Sequence, residues 1–80
     1  MMAGWNEEDG ALHRDFRFAD FAAALAFVNE VGVLAEAANH HPDIDIRWNV
    51  VTLRLSTHSE GNVVTDRDHD LAARIDRIGS

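Results

Sequence analysis

The chain has 80 residues, 46% of them apolar, with seven basic and fourteen acidic side chains, five histidines and no cysteine. That length suits one small domain, residues 1–80, with a core that is marginal on its own; the lack of cysteine excludes a disulfide framework, a thiolate nucleophile and a thiolate zinc site. All seven basic residues are arginine, which excludes Schiff-base and phosphate-loop lysines, and the formal charge of −7 argues against direct binding to nucleic acid or an anionic membrane. Chemistry therefore falls to histidine and carboxylate. Met1–Gly10 has neither a basic n-region nor an apolar stretch, unlike a signal peptide. The most apolar window, Phe21–Ala38, is interrupted by Asn29, Glu30, Gly32 and Glu36, which argues against a membrane span. The expected setting is the cytoplasm.

In chain order, a short strand ending near Trp5 is expected first, followed by a turn over Asn6–Gly10. Ala11–Phe18 alternates, with Leu12, Phe16 and Phe18 on one side and His13, Asp15 and Arg17 on the other. This period of two reads as a half-buried strand, with Arg14 as the exception on its apolar side. Asp20 is an N-cap candidate for a helix running to about Asn39. Two apolar stripes run along it, Phe21–Leu25–Val28 and Phe27–Val31–Leu34–Ala38. One covers a sheet; a second needs another partner, here a second subunit. Pro42 stops the helix and leaves His40 in its last turn.

Ile44–Thr57 is strand-like but long for one strand, so a break near Trp48–Asn49 is expected. Ser59–Val64 is a loop, and Thr65-Asp66-Arg67-Asp68 opens a final helix with Leu71, Ile75 and Ile78 as its buried stripe. The order β-β-α-β-β-α is an α+β layout, a four-stranded antiparallel sheet with helices packed on one face.

Four residues stand out for chemistry: His40, His41, His58 and Asp68. Each has a structural explanation as well. A histidine at a helix end is commonly a surface residue, Asp68 occupies the capping-box position after Thr65, and Trp48 suits sheet packing as well as a stacking platform. No His-x-x-x-His or His-x-His spacing favours a metal, so a metal-dependent hydrolase is the weakest alternative. Acid–base work fits better, because histidine titrates nearest neutral pH. A place in the last helical turn would favour the charged form of His40 through the helix dipole, suiting it to proton donation.

The run Asn39-His40-His41-Pro42, then Trp48, Ser56-Thr57-His58 and Thr65-Asp66-Arg67-Asp68 resembles the signature of the pterin-4a-carbinolamine dehydratases. Gly4-Trp5, Leu12-His13-Arg14, Phe16-Arg17-Phe18, Asp20-Phe21 and Ala35-Glu36 extend the likeness over nearly the whole chain. The resemblance implies the same α+β fold, a homodimer or homotetramer, and dehydration of a 4a-hydroxy-tetrahydropterin to the quinonoid dihydropterin without metal or organic cofactor. It implies that His40, His41 and His58 are catalytic and surround the pterin, with Pro42, Thr57, Ser59 and Glu60 forming the pocket. Glu36, Trp48 and Asp68 are supporting candidates. Two departures stand out: the family's additional N-terminal helix has no counterpart ahead of Gly4-Trp5, and one extra residue lies between His58 and Asp68. Some family relatives serve as a dimerisation cofactor for a homeodomain transcription factor, and others resemble assembly factors for a carboxylating enzyme. A non-catalytic binding module on the same fold is therefore the alternative, disfavoured because all three histidines are present.

Overall fold

The computed structural model describes residues 4–79; Met1–Ala3 and Ser80, the ends of the expected domain, lie outside the described residues. Its elements follow the order β1 (Asn6–Glu8), β2 (Ala11–Arg17), α1 (Phe21–Ala38), β3 (Asp43–Arg47), β4 (Val50–Leu55) and α2 (Asp66–Gly79), with a 3-10 turn at His58–Glu60. The four strands form one sheet in the order β1-β2-β4-β3, antiparallel at every pairing.

The first strand differs from expectation. Trp5 precedes β1, which occupies Asn6–Glu8, and only Asp9-Gly10 forms the turn. Both turn residues have positive φ, 52° and 76°, as a two-residue hairpin loop requires, and an Asp-Gly pair is a favoured solution. The strand was hidden because Asn6, Glu7 and Glu8 are poor strand formers and all exposed. Only pairing with Ala11–His13 makes them a strand.

Alternation in β2 and β4 places Leu12, Phe16, Val51, Leu53 and Leu55 on one face, all buried. Against them pack Ala24, Phe27 and Val31 of α1 and Leu71, Ala72 and Ile75 of α2. His13, Asp15, Thr52 and Arg54 project from the opposite side of the same strands, by the pleat. Arg14, the anomaly on the apolar side of β2, is accommodated by α2. Its guanidinium donates to Asp76 Oδ1 at 2.7 Å and lies 4.4 Å over the Phe16 ring. The Trp5 indole N–H donates to the same carboxylate oxygen at 2.8 Å. One acidic residue of α2 thereby anchors both the entry segment and β2.

Helix α1 begins at Asp20, whose side chain accepts from the Ala23 N–H at 2.8 Å. By length and mean hydropathy, 1.5 over its 18 residues, α1 qualifies as a membrane span. Packing assigns it otherwise: Ala24, Phe27, Val31 and Ala35 face the core. The Phe21–Leu25–Val28 stripe is left only half satisfied, with Phe21 and Leu25 44% and 43% exposed; Val33, outside both stripes, is 71% exposed.

The turn between β1 and β2 also touches the far loop. A Cβ added at Gly10 would stand 2.2 Å from the backbone oxygen of Asn62. Gly10→Ala therefore combines a left-handed φ with a clash that no side-chain rotation relieves. We expect a loss of about 1–3 kcal/mol in urea unfolding; an unchanged midpoint would show that this contact does not constrain the loop.

Candidate active site

Three chain segments converge beyond one edge of the sheet: the exit of α1, the end of β4 with its 3-10 turn, and the first turn of α2. The α1 exit is a Schellman motif. Asn39 adopts the left-handed conformation (φ 49°), its N–H donates to the Glu36 carbonyl at 3.2 Å, and the His40 N–H donates to the Ala35 carbonyl at 3.1 Å. His40 therefore lies past the helix end, not within the last turn as the position of Pro42 suggested. The reason is local: Asn tolerates positive φ and ends the helix three residues before the proline. Beyond it the chain runs into β3, so His40 turns inward and His41 outward.

His40 is 8% exposed and Asp68 is fully buried. The His40 Nε2–H donates to Asp68 Oδ1 at 2.5 Å. The other carboxylate oxygen accepts from the Thr57 hydroxyl at 2.8 Å and the Thr65 N–H at 2.9 Å. Because Thr57 donates to Asp68, its oxygen accepts from the Thr65 hydroxyl at 2.7 Å. Burial pushes the Asp68 carboxyl up. Hydrogen bonds from His40, Thr65 and Thr57, with the His40 charge, outweigh that and hold it below its ordinary value of 3.8. Asp68 makes both contacts at once, one with each oxygen: Oδ2 closes the capping box of α2 and Oδ1 holds the His40 ring.

His41 is exposed, and its Nε2–H donates to Glu36 Oε2 at 2.5 Å across the Schellman turn. His58, the first residue of the 3-10 turn, uses its other nitrogen: Nδ1–H donates to Asn62 Oδ1 at 2.5 Å. The three histidines share a hollow of about 220 Å3 with Thr57, Ser59 and Arg67. Thr57 contributes shape more than hydrogen bonds, being 1% exposed with its hydroxyl engaged by Asp68 and Thr65. Glu60 borders an adjoining hollow with Ser59 and Arg67. Pro42, half-buried, sets the direction of the chain after His41. Among the described residues, no group of three or more histidine, aspartate or glutamate side chains is placed to hold a metal ion.

Trp48 stands apart from this cluster. It occupies the two-residue turn between β3 and β4, 66% exposed, with φ at 53°. The five residues of β3 separate it from Pro42, a span of roughly 16 Å. It is neither sheet packing nor a neighbour of the histidines in this protomer. Conversely, sequence reasoning did not single out Arg67, whose guanidinium donates to the Asn39 carbonyl at 2.8 Å and borders the hollow. Nor did it single out Asn62. Arg67 sits beside Asp68 in the sequence, but only the packing of α2 on the α1 exit shows what it reaches.

Asp68→Asn preserves shape but replaces one acceptor oxygen with a donor, setting it against either the His40 or the Thr65 N–H. We expect a loss of roughly 2–4 kcal/mol at pH 7 in urea unfolding. The folded-state value is depressed, so this ionisation stabilises the fold above pH 3.8 and ceases to do so as pH falls through the lower folded value. The gap between wild type and variant therefore narrows below about pH 4. A gap that stays constant down to the acid transition would contradict this account.

Comparison with known proteins identifies the family and the fold. The family model for pterin 4 alpha carbinolamine dehydratase matches residues 1–78. A relative from Roseiflexus castenholzii, itself named only provisionally as a pterin-4-alpha-carbinolamine dehydratase, is 52% identical over 77 residues, covering 96% of this chain and 82% of its own. The crystal structure of a transcriptional coactivator/pterin dehydratase from Brucella melitensis superposes with a TM-score of 0.91 at 36% identity, over 98% of this chain and 84% of that one. A pterin dehydratase-like protein described as a RuBisCO assembly factor in the alpha-carboxysome shares the fold alone, with a TM-score of 0.76 at 23% identity, over 95% and 87% of the two chains. With a family model spanning nearly its whole length and a relative more than half identical, this chain belongs to the pterin-4a-carbinolamine dehydratase family.

Proposed function

We propose that the protein dehydrates a 4a-hydroxy-tetrahydropterin to the quinonoid dihydropterin by histidine acid–base catalysis, supporting tetrahydropterin recycling in the cytoplasm. The observation that carries this reading is that His40, His41 and His58 border one hollow, each with one ring nitrogen tied to an oxygen acceptor. Elimination of water needs two proton movements. A protonated donor delivers a proton to the departing 4a-hydroxyl, the C4a–O bond breaks and water leaves. A base removes the proton of a ring nitrogen, and the N–H electron pair becomes the new C=N bond. No oxidant and no external electron acceptor enters the balance.

His40 and His41 are the essential pair in this reading, with His58 assisting and binding. Asp68 and Glu36 orient the pair and supply negative charge against it. Thr57, Ser59, Glu60 and Pro42 shape the walls. The reaction as written calls for neither a metal nor an organic cofactor. A second copy of the chain is the proposed partner for the exposed apolar side chains Phe21, Leu25 and Val33 of α1, giving a homodimer or homotetramer. The net charge of −7 still speaks against direct nucleic-acid contact.

A non-catalytic binding module is the second reading. It draws on that exposed α1 face and on the coactivator and assembly-factor descriptions of the two structural relatives. The two readings separate in one assay. With carbinolamine generated by an aromatic hydroxylase, wild type should speed its absorbance decay. His40→Ala and His41→Ala should each lower kcat/KM by roughly 10²-fold or more, and His58→Ala by about tenfold. Decay at the buffer rate with wild type would end the dehydratase reading; equal rates for all variants would end the assignment of the histidines.

A further inference from the structure

The histidines differ in the acceptors that hold them. His40 and His41 donate from Nε2 to carboxylates, whereas His58 donates from Nδ1 to a side-chain amide. We propose that Asn62 is a positioning residue that locks His58 in its Nδ1–H tautomer and so presents Nε2 to the hollow as a proton or hydrogen-bond acceptor. This deepens the dehydratase reading and rests on it for the identity of the substrate.

The argument begins with the amide. Asn62 Oδ1 has lone pairs and no hydrogen, so the nitrogen 2.5 Å from it carries the proton. In a neutral imidazole the other nitrogen is then an acceptor, and the partner of one nitrogen thereby sets the chemistry of the other. His58 Nε2 makes no hydrogen bond among the described residues, leaving its lone pair for a ring N–H of a bound heterocycle. The amide achieves this without adding a negative charge, unlike Asp68 and Glu36 beside the other two histidines.

The loop holds Asn62 in place independently of the His58 ring. Its N–H donates to the Thr57 carbonyl at 3.1 Å, and the Thr57 N–H returns to the Val63 carbonyl at 2.9 Å. The Gly61 N–H closes onto the His58 carbonyl at 3.1 Å. Asn62 itself has φ of 60°, a conformation that asparagine tolerates better than most residues. Its carbonyl lies against Gly10, where the lack of a side chain permits the approach.

The test uses the full chain and reads the tautomer directly. Long-range 1H–15N correlation of the His58 ring, recorded above about pH 8 where histidine is ordinarily neutral, should show Nδ1–H in the wild type. Asn62→Gly removes the amide while keeping the positive φ available. It should move His58 toward Nε2–H, the ordinary preference of a solvated imidazole. It should also lower kcat by roughly threefold to fivefold, less than the loss expected for His58→Ala, with KM changed far less. Asn62→Asp keeps an acceptor oxygen in place and should retain Nδ1–H. Nε2–H in the wild type, or an unchanged tautomer or unchanged kcat in Asn62→Gly, would overturn the assignment. Nδ1–H in a wild type that fails to dehydrate carbinolamine would remove the activity reading and leave the Asn62–His58 tautomer lock standing.

Discussion

The buried carboxylate of Asp68 is the constraint on which this site depends. Two oxygens satisfy three segments: Oδ1 takes the His40 ring from the exit of α1, while Oδ2 takes the Thr57 hydroxyl from beyond β4 and the Thr65 N–H that opens α2. A fully buried carboxylate with this many donors is costly to create and costlier to leave half-paired, since burial keeps solvent from readily replacing a lost partner. The three segments therefore have one mutual arrangement that satisfies them all. That arrangement brings His40 and His58 to the same hollow. Arg67, adjacent to Asp68 on α2, adds a second tie by donating to the Asn39 carbonyl.

Around this fixed point the histidines are graded by environment. His40 is buried and held by a buried carboxylate, His41 is exposed and held by an exposed one, and His58 is exposed and held by an amide. The dehydration proposed above asks for a donor and an acceptor at once, and equivalent histidines would serve it poorly. Unequal partners differentiate groups of the same residue type, as unequal surroundings do for paired acids and bases in enzymes.

Toward the other end of α2 lies a separate anchoring device. Asp76 receives both the Trp5 indole and the Arg14 guanidinium, and Trp5, Phe16, Phe27 and Phe18 pack successively through ring contacts of 4.7 to 6.0 Å. The acidic hub near the histidines and the acidic hub near the aromatics both lie on α2, so docking of that helix completes the core and the site together. The apolar residues of α1 left exposed, Val33 above all, belong to neither hub.

Much of this was legible from local pattern. Alternation in Ala11–Phe18, the Asp20 cap and the capping box at Thr65–Asp68 each concern residues a few positions apart, where chain geometry alone dictates who meets whom. The spaced set from His40 to Asp68 likewise points to the family. Other features depend on contacts across the chain. The β1 strand exists only through its pairing, and Arg14 becomes intelligible only with Asp76, 62 residues away. Trp48, equally prominent in the sequence, proves remote because a strand separates it from the histidines. By itself, the sequence determined the residue types available for chemistry and the elements that carry them, since propensity, capping and period act locally. Only the tertiary structure decided which acceptor faces which histidine nitrogen, because burial and hydrogen-bond geometry arise when segments 28 residues apart, such as those of His40 and Asp68, come together.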